Sequence, residues 1–267
     1  MHLDQLADDF RLNLAVPEIA EQVEQVSGKG IDFRPDPKLG VSARTKMARR
    51  RMAQHVILFN PRNRSHLSHL LAHECTRIWR MFAAPPDERR VPASTLETLR
   101  VARGEIREEA QFLPRDLRDE MIDRWIHGLI TQATSQPVDV RIEKWIGDNY
   151  PSLRKEQRRF LRTEARAITA NISPDVKRTT PDTVFKRSNA LNYAYLEHVG
   201  AIIERSFESK FQSSPEIASL GSTLSRVMDN DDLSDQELVN RVTETIQVRH
   251  WFTWLNFEDM PESYYVS

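Results

Sequence analysis

The sequence predicts an α+β fold that is predominantly α-helical, with a small N-terminal β-sheet packed against one helix and a helical C-terminal region. Three observations support this prediction. Only eight glycines occur in 267 residues, whereas Arg, Glu, Leu and Ala are abundant, a composition typical of helical proteins. The β-like runs lie between residues 31 and 60. Beyond residue 86, apolar residues recur at helical spacing.

The N-terminal third holds the elements that would form the sheet. One or two short helices are expected first, and Ser27-Gly28-Lys29-Gly30 ends them. Three β-like runs follow, Ile31–Arg34, Val41–Arg44 and His55–Asn60, with Pro35, Pro37 and Gly40 between them. After Asn60-Pro61, an apolar pattern at Leu67, Leu70, Leu71 and Ile78 predicts an amphipathic helix packed against that sheet.

The rest of the chain is expected to be helical. Ser94-Thr95-Leu96-Glu97 and Ser234-Asp235-Gln236-Glu237 have the capping-box pattern that begins a helix. Pro137 is expected to interrupt one helix and to begin a short one from Val138 to Ile146. We therefore predict a domain over residues 1–150 and a helical region over residues 151–267, which is either a module of its own or part of the same core.

Composition restricts the class of protein. The formal net charge is −1, so no overall field attracts nucleic acid or an anionic membrane. Cys75 is the single cysteine, which excludes an intrachain disulfide and fits a reducing compartment. Residues 1–5 show no basic leader, and no apolar run reaches the length that spans a bilayer. The sequence thus predicts a cytoplasmic protein without a membrane partner.

One short motif carries most of the functional information. His73-Glu74-Cys75-Thr76-Arg77 follows the zinc-peptidase pattern HExxH, but arginine occupies the position of the second histidine. In the intact pattern, two imidazoles on one helical face bind Zn²⁺ and the glutamate polarises the metal-bound water. A guanidinium has no free lone pair and stays protonated, so Arg77 cannot be a metal ligand.

The order of a β-strand, Asn60-Pro61 and a helix bearing Leu71-Ala72-His73-Glu74 resembles the gluzincin metallopeptidases, including the small cytosolic ImmA/IrrE-type proteins. The resemblance covers about residues 30–150. It implies a zinc site with His73 as ligand, Glu74 as catalytic base and a third ligand from a later helix. Glu143 is the best match for that ligand, with Asp139 as its support one turn earlier. Glu105, Glu108 and Glu109 are rival sources, and each of these carboxylates alone is also compatible with a solvated helix surface.

Arg77 allows two interpretations. In the first, which we favour, its guanidinium lies among Glu74, Asp139 and Glu143 and replaces the charge of the zinc, leaving a metal-free copy of the site. In the second, zinc is retained by His69, His73 and Glu143, because His69 and His73 are also one turn apart. Zinc is therefore a conceivable cofactor, and the sequence favours its absence or weak binding.

Two functional classes follow from these readings. The first is a metallopeptidase-like protein with a degenerate site, either a pseudoenzyme that binds a peptide or protein partner or an active metal-dependent peptidase. The second is a regulator that binds nucleic acid through basic segments, with Arg49, Arg50 and Arg51 as candidate contacts and a further basic tract at 154–159. Taken singly, each tract also fits a solvated strand edge or helix face, which is the reading we favour.

Overall fold

The computed structural model describes residues 9–211, 213–261 and 263–264, and it confirms a mainly helical α+β fold. Residues 1–5, which bear on targeting, lie outside this part. Five strands are described: β1 Ile31–Pro35, β2 Ala43–Lys46, β3 His55–Phe59, β4 Arg90–Ala93 and β5 Thr253–Asn256. Nine α-helices are described: α1 Ala15–Ser27, α2 Leu67–Ala83, α3 Leu96–Ile106, α4 Arg115–Asn149, α5 Arg154–Ala170, α6 Pro174–Arg178, α7 Asp182–Ile203, α8 Pro215–Met228 and α9 Asp235–Thr245.

The chain forms two compact units, each built from separate stretches of sequence. The first unit comprises residues 1–91, 142–162 and 255–267, and the second comprises residues 92–141 and 163–254. The predicted boundary at residue 150 lies inside the first unit. None of the described helices is long and apolar enough to span a membrane.

A three-stranded sheet and two helices form the core of the first unit. The strand order is β1-β3-β2, with β1 parallel and β2 antiparallel to the central strand. Along β3, His55, Ile57 and Phe59 are buried while the alternate residues are only partly buried, as expected for a strand with one covered face. The strands β2 and β3 contact α2, and α1 packs along the same helix. The His73 helix therefore packs against both the sheet and α1.

His55 stabilises this core in its neutral form. Its Nδ1 accepts a hydrogen bond from the backbone N–H of Ala48 (2.9 Å), and its Nε2 lies 3.0 Å from the hydroxyl of Ser27. An imidazole that accepts at Nδ1 must carry its single proton on Nε2. Burial, together with the charge of Lys29, lowers the pKa of His55 from 6.5 to about 4.

Two expectations about secondary structure were wrong. The helix α4 continues through Pro137 instead of ending there, although the proline lacks the N–H that would bond to the carbonyl of Ala133 and its ring crowds that carbonyl. The β-like runs are also not confined to residues 31–60, because β4 and β5 form a second, two-stranded sheet. These strands have four residues each, which is too short for a reliable period-2 pattern.

The second unit is helical over most of its length. Helices α7 and α8 pack together, and α9 packs on α8. The contact between the first two is close at Gly221, where a Cβ atom would lie 2.6 Å from the side chain of Tyr193. In the aromatic segment 251–254, Trp251 and Phe252 are buried.

Candidate functional site

The candidate site is a buried polar cluster on α2 and on the C-terminal part of α4, within the first unit. His69, His73 and Glu143 are 0%, 6% and 1% exposed. His69 Nε2 lies 3.0 Å from one carboxylate oxygen of Glu143, and His73 Nδ1 lies 2.8 Å from the other. The structure therefore brings together the three side chains that the sequence proposed as metal ligands.

The guanidinium of Arg77 lies on the other side of the His73 ring. Its Nη2 is 3.2 Å from His73 Nε2, and its Nη1 is 3.8 Å from Glu74 Oε2. Because a guanidinium N–H can only donate, His73 Nε2 accepts, and the single proton of a neutral ring is on Nδ1, facing Glu143. This chain of contacts fixes one tautomer of His73.

The carboxylate of Glu143 is held as an anion despite its burial. Burial raises its pKa, but the attraction of His69 and the hydrogen bonds from His69 and His73 outweigh this effect and hold the pKa well below its usual range. Gln157 adds a third donor, with its Nε2 2.8 Å both from Glu143 Oε2 and from the backbone carbonyl of Glu143. The charge at Glu143 is thus shared among three N–H groups.

Glu74 belongs to a second branch of the cluster. Its side chain is buried, and its Oε2 accepts a hydrogen bond of 2.6 Å from the hydroxyl of Thr45 on β2. The same oxygen is the one nearest to Arg77. The sheet, through Thr45, therefore fixes the carboxylate that the sequence proposed as a catalytic base.

A residue from α5 caps the helix that carries these side chains. The residue before α2, His66, provides no side-chain cap. Instead, one carboxylate oxygen of Glu156 accepts hydrogen bonds from the backbone N–H groups of Ser68 (2.9 Å) and His69 (3.2 Å). These N–H groups would otherwise lack partners, and a negative charge at this end is favoured by the helix dipole.

The arrangement does not fit a zinc ion as the atoms stand. Both ring nitrogens of His73 are engaged, one by Glu143 and the other by Arg77, and His69 Nε2 is also directed at Glu143. The carboxylate of Glu143 lies between the two imidazoles and is at direct hydrogen-bond distance from each. Three ligands of one zinc ion would instead surround a common point at which the ion sits. Among the described residues, no group of three or more His, Cys, Asp or Glu side chains is placed to hold a metal.

The other carboxylates proposed from the sequence, Glu105, Glu108, Glu109 and Asp139, lie in the second unit. Asp139 is half-buried on α4 in the second unit. The rival carboxylates Glu105 and Glu109 are engaged within that unit: Glu105 accepts from the indole of Trp251 (3.1 Å), and Glu109 accepts from the backbone N–H of Thr183 (2.8 Å).

The basic segment before β3 is covered in part by the C-terminal segment of the same unit. Arg49 is 2% exposed, its guanidinium lies over the rings of Phe257 and Tyr264, and its Nη2 donates to the carbonyl of Tyr264. Arg50 is exposed but forms an ion pair of 2.8 Å with Asp259, whereas Arg51 is exposed. Burial removes Arg49 from the surface on which we had proposed a phosphate contact.

Sequence reasoning missed Thr45, Glu156 and Gln157. For Gln157 a signal existed: buried positions recur one turn apart, at Leu153 just before α5 and at Gln157, Leu161 and Ala165 along it. A polar residue in the middle of such a buried row needs a hydrogen-bonding partner. Thr45 and Glu156 occupy unremarkable positions in the sequence, and their partners are distant along the chain.

Comparison with known proteins gives no relative: no model of a known protein family matches the chain, and neither a curated protein nor a solved structure is similar to it. The function must therefore be inferred from the cluster itself.

Proposed function

We propose that this chain is a non-catalytic protein built on a scaffold that resembles the gluzincin metallopeptidases, and that it acts by binding a peptide or protein partner. The observation that carries the proposal is the cluster of Glu143, His69, His73 and Arg77. In it, a guanidinium and a carboxylate saturate the imidazole that would bind zinc in the intact HExxH motif.

The chemistry of the cluster supports a structural role. The carboxylates of Glu143 and Glu74 are both buried, and their oxygens receive hydrogen bonds from His69, His73, Gln157 and Thr45. The guanidinium of Arg77 lies 3.8 Å from Glu74 Oε2. A buried charge that is paired and hydrogen-bonded in this way is stable without an ion. Glu74 acts as a general base only beside an activated water, and its nearest partners are the groups of Thr45 and Arg77.

The edge of the sheet supports binding to an extended segment of a partner. β2 lies at one edge of the three-stranded sheet, and Thr45 of this strand is the residue that donates to Glu74. Backbone groups along a sheet edge can pair with an added strand.

The alternative, an active peptidase with zinc held by His69, His73 and Glu143, rests on the proximity of these three side chains. It requires the carboxylate of Glu143 to leave its position between the imidazoles, so that an ion can take its place. The two candidates differ in their response to zinc and are separated by one experiment.

The experiment measures zinc binding by titration calorimetry for the wild type, Arg77→His and the control Arg80→His. We expect no stoichiometric binding by the wild type or by Arg80→His. Arg77→His restores the second imidazole of the motif and should bind one zinc ion, because it removes the guanidinium that engages His73 Nε2 in the wild type and leaves that nitrogen available to a metal. Zinc bound by the wild type and lost in His73→Ala would support the active peptidase instead. Failure of Arg77→His to bind zinc would contradict the metallopeptidase-like scaffold.

A further inference from the structure

The strongest unassigned feature of the first unit is a cluster of positive charge on the outer side of α5. Lys155, Arg159 and Arg162 are exposed and follow each other at intervals of four and three residues, so they lie on one face of the helix. With a rise of about 1.5 Å per residue, the row is about 10 Å long. The one acidic residue within it, Glu156, directs its carboxylate at the N-terminus of α2.

Two further arginines adjoin this row. The 3-10 helix Pro61–His66 carries Arg62 and Arg64, both exposed. Arg159 Nη1 donates a hydrogen bond of 2.9 Å to the carbonyl of Ser65 in this segment, which brings the start of α5 against it. We call the side chains of Arg62, Arg64, Lys155, Arg159 and Arg162 the basic patch.

The charges of the basic patch are largely uncompensated. Within the described part of the chain, Arg62, Arg64, Lys155 and Arg162 form no ion pair; the cation–π contact of Arg64 with the ring of Phe10, at 5.8 Å, leaves its charge in place. This contrasts with Arg50, which is paired with Asp259. Like charges held together on a folded surface repel one another, and an external polyanion relieves that repulsion.

We infer that the basic patch binds the phosphodiester backbone of a nucleic acid. Four of its five members are arginines, whose guanidinium groups form bidentate hydrogen bonds with phosphate oxygens. No large apolar side chain is exposed on α5 or in residues 61–66 of the described structure. Protein interfaces depend on buried aromatic or aliphatic anchors, whereas backbone contacts to nucleic acids depend on charge, so this surface suits the nucleic acid.

This binding goes beyond the peptide-binding function proposed above and does not depend on it. The patch reads charge and not base sequence, because its side chains are placed to meet phosphates. The patch includes Lys155 and Arg159 of the basic tract at 154–159, which was one of the two segments that the sequence offered for contacts with nucleic acid.

The test compares binding of fluorescein-labelled single-stranded RNA and duplex DNA of mixed sequence by fluorescence anisotropy over a range of salt concentrations. The patch variant is Lys155→Gln/Arg159→Gln/Arg162→Gln. The control, Arg100→Gln/Arg115→Gln/Lys177→Gln, removes the same charge from exposed positions of the second unit. The patch variant should bind about tenfold more weakly or worse, and for DNA the slope of log K against log salt should fall by about 2 to 3, since each lost phosphate contact contributes about 0.9. The control should match the wild type.

Because Arg159 also contacts Ser65, the double variant Lys155→Gln/Arg162→Gln, which keeps that contact, is measured alongside, and thermal unfolding verifies that each variant is folded. The two nucleic acids show which form is preferred; binding of either supports the inference. It is overturned if the wild type binds neither at low salt, or if the patch and control variants bind equally. It is also overturned if polyglutamate competes as well as nucleic acid, since the surface would then recognise acidic protein.

Discussion

Replacing Glu143 by glutamine tests how the cluster is held together. Glutamine keeps the shape of the side chain but retains one acceptor oxygen for the donors from His69, His73 and Gln157, at 3.0, 2.8 and 2.8 Å. The NH₂ group of the glutamine side chain then faces the Nδ1–H of His73, so that two donors meet. Losing a hydrogen bond to a charged acceptor costs about 1.5–3 kcal/mol and leaving a buried donor unpaired costs about 1–3 kcal/mol. We therefore expect Glu143→Gln to lower the free energy of unfolding by about 3–5 kcal/mol, as for other broken buried pairs.

The role of Arg77 makes this prediction specific. In the wild type, its guanidinium prevents His73 from moving its proton to Nε2, because two donors would then face each other. In an Arg77→Met background the proton can move, and Nδ1 can accept from the amide of the glutamine. The cost of Glu143→Gln should therefore be smaller in that background by about 1–2 kcal/mol, a coupling that a double-mutant cycle measures.

The assay is urea unfolding of the four proteins at neutral pH, followed by tryptophan fluorescence, with the free energies compared at constant m-value. Glu108→Gln serves as the control, because Glu108 is exposed and should change stability by less than about 0.5 kcal/mol. A cost of less than about 1 kcal/mol for Glu143→Gln, or strictly additive effects of the two substitutions, would refute this account of the cluster.

Three further predictions concern the scaffold. The pKa of His55 is lowered from 6.5 to about 4, so its stabilising effect is complete above pH 6.5 and is lost as the pH falls toward 4. Over this range the wild type should lose about 3 kcal/mol more stability than His55→Gln. If the free energies of unfolding of the two proteins change in parallel with pH, the neutral, buried imidazole is contradicted. Glu156→Gln should lower the melting temperature through a loss of about 1 kcal/mol at the N-terminus of α2, and an unchanged transition would show that this cap is unimportant. Gly221→Ala should destabilise the protein by about 1–3 kcal/mol, because the new Cβ would lie 2.6 Å from the side chain of Tyr193. Gly128→Ala has open space around its Cβ and should stabilise the protein by up to about 1 kcal/mol in chemical denaturation. Effects of the same sign for the two variants would be inconsistent with the packing described.

The sequence identified the residues of the cluster better than their arrangement. Helical spacing placed His69, His73 and Arg77 on one face of α2, because the spacing of i and i+4 positions is a local property. Position 143 was selected by its similarity to a family pattern, and the structure brings it to His73. The orientation was beyond local reasoning: the direct contact of both imidazoles with Glu143 depends on packing between segments 70 residues apart along the chain.

The same limit explains the elements that were missed. Glu156 acts on α2 from 87 residues away, and nothing near α2 in the sequence shows that its cap comes from another helix. The two short strands β4 and β5 are defined by their pairing with each other and not by a pattern within either. Conversely, the burial of His55 follows from the alternation of covered residues along β3, and the buried row that includes Gln157 follows from its four-residue spacing.

The central claim, that Arg77 and Glu143 together occupy the imidazole that a metal would need, is tested most directly by nitrogen-15 NMR of the His73 ring. We predict a neutral ring with its proton on Nδ1, and a spectrum that is the same after treatment with a chelator or with zinc. A proton on Nε2, or ring resonances that shift when zinc is removed from the purified protein, would contradict the claim.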